Sequence, residues 1–319
     1  MSNRSFRFAV QATKATSAAG WRALAGRVES LGFSTLFLAD HYLGRGQAAR
    51  EASQPPQHLA PIAAMATAAA VTRTLRVGCR VFCVDYHVPA VLAKEASTLD
   101  LLSDGRLEFG IGAGWSEPEY RAMGLGFDAA SRRVAKLEEV IALVKAHSSG
   151  EPLDRRGEFV TAAGYSGLPL PVQRPHPPIM VGGGRRRVLS LAAREADIVS
   201  IANVPFGTVD GWTPAQEAVR RLGYVREAAG ARFGELDIES SPFFTEVTDD
   251  VEPAVKRVAE LMRVPPEGLL EHPNVLIGSA EEIVDRLQER RDRFGVNYVS
   301  VPQSQVDEFA PIAARLAGT

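Results

Sequence analysis

Apolar and polar positions fall in blocks along this chain. Short continuous apolar runs are separated by longer stretches in which apolar residues recur three and four positions apart. A short apolar run bounded by turn residues marks a strand buried on both faces; the longer spacing marks an amphipathic helix. Residues 6–12 read as a first strand and 17–31 as a helix, with Trp21, Leu24, Val28 and Leu31 on one stripe and Gly32 at its end. Strands follow at 34–39, 75–84, 106–113, 178–181, 197–202, 236–247 and 297–301. Helices lie between them at 58–72, 89–102, 129–147, 186–195, 215–229 and 252–262. Ser279 and Glu282 form a capping box that opens a helix ending near Phe294, and a last helix runs to Ala317.

Two stretches break the rhythm. Residues 150–174 are rich in Pro and Gly, with one strand-like run, Glu158-Phe159-Val160, and read as a surface excursion; residues 265–273 read as a second insertion. Eight alternations over 319 residues fit an α/β chain folded as a (β/α)₈ TIM barrel, a single domain over 1–319 with an insertion after the fourth βα unit. An open sheet of six or seven strands with a cap is the alternative.

Charge is nearly balanced, 36 basic against 38 acidic residues, so neither a nucleic-acid footprint nor a polybasic membrane patch is expected. Met1-Ser2-Asn3-Arg4 leads straight into a strand-like run, so no signal peptide is expected, and no apolar stretch reaches the length of a membrane span. Cys79 and Cys83 are the only cysteines, which suits a reducing cytoplasm and small core residues rather than metal ligands. A small-molecule substrate is the expected partner.

In a barrel the carboxyl ends of the strands converge on one rim, where the chemistry collects. That rim carries Gln11, Asp40-His41, residues 81–85, Gly112-Ala113-Gly114-Trp115, Gly182-Gly183-Gly184 and Ala202-Asn203. It has one histidine at a strand terminus, His41, a side chain readily tuned to move a proton near neutral pH. Asp40 and His41 have a plainer reading, as a loop cap and a packed side chain. The rim lacks an acidic cluster for a metal, a Gly-x-Ser-x-Gly elbow and a terminal Lys, so an organic cofactor is expected to bring the reactivity.

Gly182-Gly183-Gly184-Arg185-Arg186-Arg187 places three arginines in the first turn of a helix, where cations are unfavourable unless an anion sits among them. A phosphate is the expected anion; the alternative is a Gly-rich turn with solvated arginines. Gly110 to Trp115 is also Gly-rich after a strand, and its small residues would admit a flat ring with Trp115 as a wall. Ser116 and Glu119 have capping-box spacing, which assigns Glu119 to the helix, and Glu117 is expected to be exposed.

Several motifs occur together and in order: Leu38-Ala39-Asp40-His41, Leu75-Arg76-Val77-Gly78, residues 93–100, Ser103-Asp104-Gly105-Arg106-Leu107-Glu108, residues 110–120 and Pro178-Ile179-Met180-Val181-Gly182-Gly183-Gly184. In this the chain resembles the bacterial luciferase-like superfamily, in particular its branch that uses the deazaflavin coenzyme F420. The resemblance covers nearly the whole chain. It implies a dimeric barrel with a deazaflavin or flavin over the rim. His41 would lie beside the reactive face of the ring, preceded by Asp40, and Gly182 to Gly184 with Arg185 would hold the phosphate. A third-strand bulge would back the ring through a non-proline cis peptide, placed here at Arg80-Val81. Two departures put a sugar-phosphate substrate in doubt: Trp115 stands where such dehydrogenases carry an acid, and the loop after His41 has no Trp.

The expectation is therefore a cytoplasmic, homodimeric oxidoreductase moving hydride between coenzyme F420 and a small organic substrate. His41 and Asp40 are its catalytic candidates; Arg80, Val81, Gly112, Gly114, Trp115, Gly182, Gly183, Gly184 and Arg185 are its cofactor-binding candidates. The rivals are a monooxygenase using reduced flavin mononucleotide (FMN) and oxygen, a non-catalytic flavin- or deazaflavin-binding barrel, and a metal-free barrel lyase acting on a phosphorylated sugar.

Overall fold

The computed structural model describes residues 4–52, 54–202 and 204–319. Met1 to Asn3 and Asn203 lie outside them. Eight strands carry the sheet: β1 (Arg7–Gln11), β2 (Thr35–Leu38), β3 (Arg76–Cys79), β4 (Leu107–Gly112), β5 (Ile179–Gly183), β6 (Ile198–Ile201), β7 (Asp237–Ser240) and β8 (Val296–Pro302). They alternate with helices, and the fold is a (β/α)₈ barrel, as the apolar blocks predict. The chain divides into two compact units, residues 12–29 with 35–181, and residues 4–11 with 30–34 and 182–319.

In the first unit β2, β3, β4 and β5 are parallel neighbours, with Leu36 opposite Val77, Val77 opposite Leu107, and Phe109 opposite Ile179. Every residue of β2 and β4 is buried, which accounts for their predominantly apolar runs. The one charge in β4, Glu108, is met by Arg76 Nε at 2.9 Å and by the Thr35 hydroxyl at 3.4 Å. Glycine is required where these strands approach closely: a Cβ at Gly110 would lie 2.0 Å from the Cys79 carbonyl oxygen. β3 stops at Cys79, and pairing with β4 resumes at Phe82–Cys83, opposite Ile111 and Gly112. Between them the Arg80-Val81 peptide is cis, at the bond the sequence reading selects.

The excursion after β4 is a hairpin, Pro152–Arg156 paired antiparallel with Thr161–Ser166. The strand-like run Glu158-Phe159-Val160 is its turn. The Glu139 carboxylate, on helix Ala130–Ser149, accepts the N–H groups of all three residues, which removes them from any ladder.

In the second unit β1 pairs with β8, β8 with β7, and β7 with β6, all parallel. Asp237 anchors this group through Arg4, Arg7 and Asn297; burial opposes its ionisation, but these partners hold its carboxyl below the usual range. The single strand read at 236–247 is two. β7 ends at Ser240, Pro242 interrupts the run, and Phe244–Val247 pairs instead with Val275–Gly278 in a separate two-stranded sheet. That sheet packs with helix Val251–Met262 around its own small core of Val255, Val258, Leu269 and Ile277. The Ser279–Glu282 capping box forms as read, with Ser279 N–H donating to Glu282 at 2.8 Å.

Glu29, at the end of the first helix, accepts the N–H groups of Arg73, Thr74 and Leu75 and so fixes the entry into β3. Burial opposes ionisation there, but these bonds outweigh it and bring the carboxyl down to about 2 from 4.5. The stability this adds is fully present above pH 4.5 and is lost as pH falls towards about 2. Glu29→Gln should therefore lower unfolding free energy by about 1–3 kcal/mol near neutral pH. Denaturant titrations at successively lower pH should show the gap between the two proteins closing below pH 4.5.

Candidate active site

β2 delivers two polar residues in succession, and alternation along an extended backbone sends them opposite ways. Asp40 points inward, and its side chain has no accessible surface. Its carboxylate accepts the Cys83 N–H at 2.9 Å and the Tyr42 hydroxyl at 2.8 Å, and lies 2.9 Å from His87 Nε2. His87 is a second imidazole that inspection of strand ends passes over, because it lies four residues beyond Cys83.

His41 turns towards helix Glu117–Ala122, where its Nδ1 lies 2.6 Å from Glu119 Oε2. Glu119 Oε1 accepts the Tyr42 N–H at 2.7 Å, and the Leu43 N–H and the Tyr86 hydroxyl bond the same carboxylate. Burial works against ionisation of Glu119; His41 and the two backbone donors outweigh it and hold the carboxyl below its ordinary range. The capping-box assignment of Glu119 is thereby corrected. The helix begins with no side-chain cap, the buried Ser116 hydroxyl has no partner, and Glu119 serves His41 instead. Glu117 is exposed, as read.

His41 keeps 18% of its side-chain surface. Beside it stands Trp115, 55% exposed, its ring edge-on to the imidazole at 5.9 Å. The loop that carries Trp115 is anchored from below. Arg133 donates to the carbonyls of Ala113 and Asp128 and stacks on Phe127 at 3.9 Å. The Tyr120 hydroxyl donates to Asp85, which also receives Lys136. Gly112 closes β4 opposite Cys83. Gly114 has φ +71°, and a Cβ there would meet the Tyr120 hydroxyl at 1.9 Å and Cys83 Sγ at 2.8 Å. The small residues of this loop thus accommodate the protein's own atoms. Arg80 and Val81 are half-buried at the cis bond.

The structure brings Asp40, His41, Arg80, Val81, Gly112, Gly114 and Trp115 into the first unit, while Gly182, Gly183, Gly184 and Arg185 are within the second. There, a Cβ at Gly183 would strike Val188 at 2.3 Å, and one at Gly184 would meet Arg221 at 2.8 Å. Helix Arg186–Glu195 opens with no side-chain cap and no acid in its first turn, and Arg185 at its start is exposed. Arg186 is neutralised by Glu227 at 2.8 Å, so the triple-arginine reading narrows to Arg185 and Arg187.

Residues 4–273 match the luciferase-like monooxygenases. The chain belongs to that family. Among its relatives, an FMNH(2)-dependent dimethylsulfone monooxygenase of Pseudomonas putida is 33% identical over 109 residues, 34% of this chain and 30% of that protein. This luciferase-like fold superposes on the coenzyme F420-dependent tetrahydromethanopterin reductase of Methanopyrus kandleri with a TM-score of 0.77, at 16% identity over 98% of this chain and 99% of that one. On a long-chain alkane monooxygenase, LadA, the TM-score is 0.79, at 16% identity over 98% of this chain and 92% of that one. Members of the family's fold thus include both F420-dependent and flavin-dependent oxidoreductases. Among the described residues no helix is long and apolar enough to cross a membrane.

Gly114→Ala combines a left-handed backbone with a collision in the packed floor beneath Trp115. It should cost about 2–4 kcal/mol of stability. Thermal unfolding of the purified variant checks this, and a cost near zero would mean that the Trp115 loop is not held as described.

Proposed function

We propose that this protein is an oxidoreductase that moves hydride between coenzyme F420 and a small organic substrate. The observation that carries this reading is the imidazole of His41, backed by a buried carboxylate and flanked by an exposed indole. The chain's own groups there manage a proton and border a flat ring. The bound deazaflavin would accept or deliver the hydride.

The residues fit such a group. Trp115, Arg80 and Val81 would border the ring system, with Gly112 and Gly114 shaping the packed loop that carries Trp115. The start of helix Arg186–Glu195, with no side-chain cap and no acid in its first turn, suits an anionic phosphate, with Gly182, Gly183, Gly184 and Arg185 as its setting. His41 Nε2 would hold or move the proton that accompanies the hydride. Asp40, enclosed by three partners, would act by fixing Tyr42, Cys83 and His87 rather than by touching substrate. The similarity to a full-length F420-dependent reductase supports the choice of deazaflavin. The 33% identity to an FMNH(2)-dependent monooxygenase supports a second reading, reduced flavin with oxygen.

Fluorescence titration separates the two. F420 should bind at least about tenfold more tightly than FMN, a margin of about 1.4 kcal/mol. A reversed order would establish the flavin reading. Arg185→Glu should weaken the favoured cofactor by about tenfold or more, and the loss should shrink as salt is raised.

His41→Ala should lower turnover by about a hundredfold, assayed with F420 across a panel of small alcohols and carbonyl compounds, while cofactor affinity changes far less. Near-native turnover would remove His41 from the mechanism. Cofactor binding without turnover of any compound by the native protein would favour a carrier.

A further inference from the structure

A neutral imidazole carries one proton on one of two nitrogens, and the partner of the buried nitrogen decides which. At His41 that partner is Glu119, ionised and therefore able only to accept. Its two oxygens are not equivalent. Oε1 faces the Tyr42 backbone N–H at 2.7 Å, a donor that cannot reverse its role. Oε2 faces His41 Nδ1 at 2.6 Å, where two opposed lone pairs would repel. The opposite ring nitrogen, Nε2, has no hydrogen-bond partner among the described residues, and the Trp115 ring stands edge-on to the imidazole at 5.9 Å.

We infer that Glu119 is a positioning residue that fixes His41 as its Nδ1–H tautomer, so that Nε2 meets the substrate or cofactor as a proton acceptor. The functional half of this rests on the role proposed above for His41; the tautomer itself does not. Glu119 acts from 78 positions away in the sequence, through its contact with the ring and the hydrogen bonds it accepts from the Tyr42 and Leu43 N–H groups and the Tyr86 hydroxyl. It sets both the protonation pattern of the imidazole and the path of the chain leaving β2.

The geometry makes one isosteric substitution informative. In Glu119→Gln the amide oxygen must stay with the Tyr42 N–H, because the NH₂ group cannot accept from it. The NH₂ group then faces His41 Nδ1 and donates to it. This demands a lone pair on Nδ1 and moves the ring proton to Nε2. The substitution should therefore invert the tautomer without removing bulk.

The experiment is nitrogen NMR of the full chain labelled in histidine, without cofactor or substrate, at about pH 8, above the ordinary imidazole range. His41→Gln assigns the resonance. Native protein should show the Nδ1–H form in at least about tenfold excess, and Glu119→Gln should show the Nε2–H form in similar excess. Glu119→Asp, which retains a purely accepting carboxylate, should keep the native form and decides the matter if the glutamine variant does not fold. A native ring that is Nε2–H or doubly protonated, or a folded Glu119→Gln protein with the native tautomer, overturns the inference. Loss of the native form in Glu119→Asp does the same. Because no cofactor is present, such a failure leaves the oxidoreductase reading intact, and failure of F420 to bind leaves the tautomer result intact.

Discussion

The exit of β2 is governed by the need to satisfy a carboxylate that water cannot reach. A polar side chain withdrawn from solvent is costly unless its hydrogen-bonding atoms are met. Asp40 is such a group, and its partners come from three places: its own loop through Tyr42, the strand resumed after the cis peptide through Cys83, and the following turn through His87. A shift of any one of them removes a hydrogen bond from a buried oxygen. The residue after Asp40 is His41, so the same constraint sets the ring's position and sends it towards Glu119. Two carboxylates, one on each side of the strand end, thereby fix one imidazole.

Helix Ala130–Ser149 extends this order to the surrounding loops. Its apolar residues Leu137, Val140, Ile141 and Val144 are buried. Three polar residues spaced three apart each hold a different loop. Arg133 takes the carbonyls beneath Trp115, Lys136 takes Asp85 beside Tyr120, and Glu139 takes the hairpin turn. Surface loops normally have few such ties. Here one helix, rigid through its own packing, serves three of them, and the exposed indole beside His41 stands on a fixed base.

The barrel was legible because its evidence is local. A strand buried on both faces has to be almost wholly apolar, and β2 and β4 are, save Thr35 and the partnered Glu108. The Arg80-Val81 bond was legible through the family motif around it. The site's supporting residues were not, because their partners are remote. Glu119 had a sufficient local explanation in Ser116, and only the folded chain sets it against His41. His87 has no local signal, because it sits in a turn four residues beyond Cys83 rather than at a strand terminus. Phe159 looked like a strand residue for want of any local sign that Glu139, twenty residues earlier, takes its N–H. Buried polar groups choose partners by proximity in space, and sequence spacing carries little of that information.

What the first unit's own side chains can do chemically is narrow. Burial pushes the Cys83 thiol up to about 11 and the Cys79 thiol well above its ordinary value, so neither offers the thiolate that nucleophilic chemistry needs. Tyr42, Tyr86 and Tyr120 are likewise raised, by burial first and then by neighbouring acids and thiols, and remain protonated phenols. Asp40 has its lone pairs engaged, and Glu119 is committed to His41 and the chain behind it. Of the two imidazoles, His87 faces Asp40 through Nε2 and His41 faces Glu119 through Nδ1, which leaves His41 Nε2 without a partner among the described residues. One proton-handling atom beside a flat exposed indole has no means of its own to form a covalent intermediate or to supply electrons. Such a set of side chains suits the proposed reading, in which a bound group would bring the redox chemistry and the His41–Glu119 pair would handle the proton.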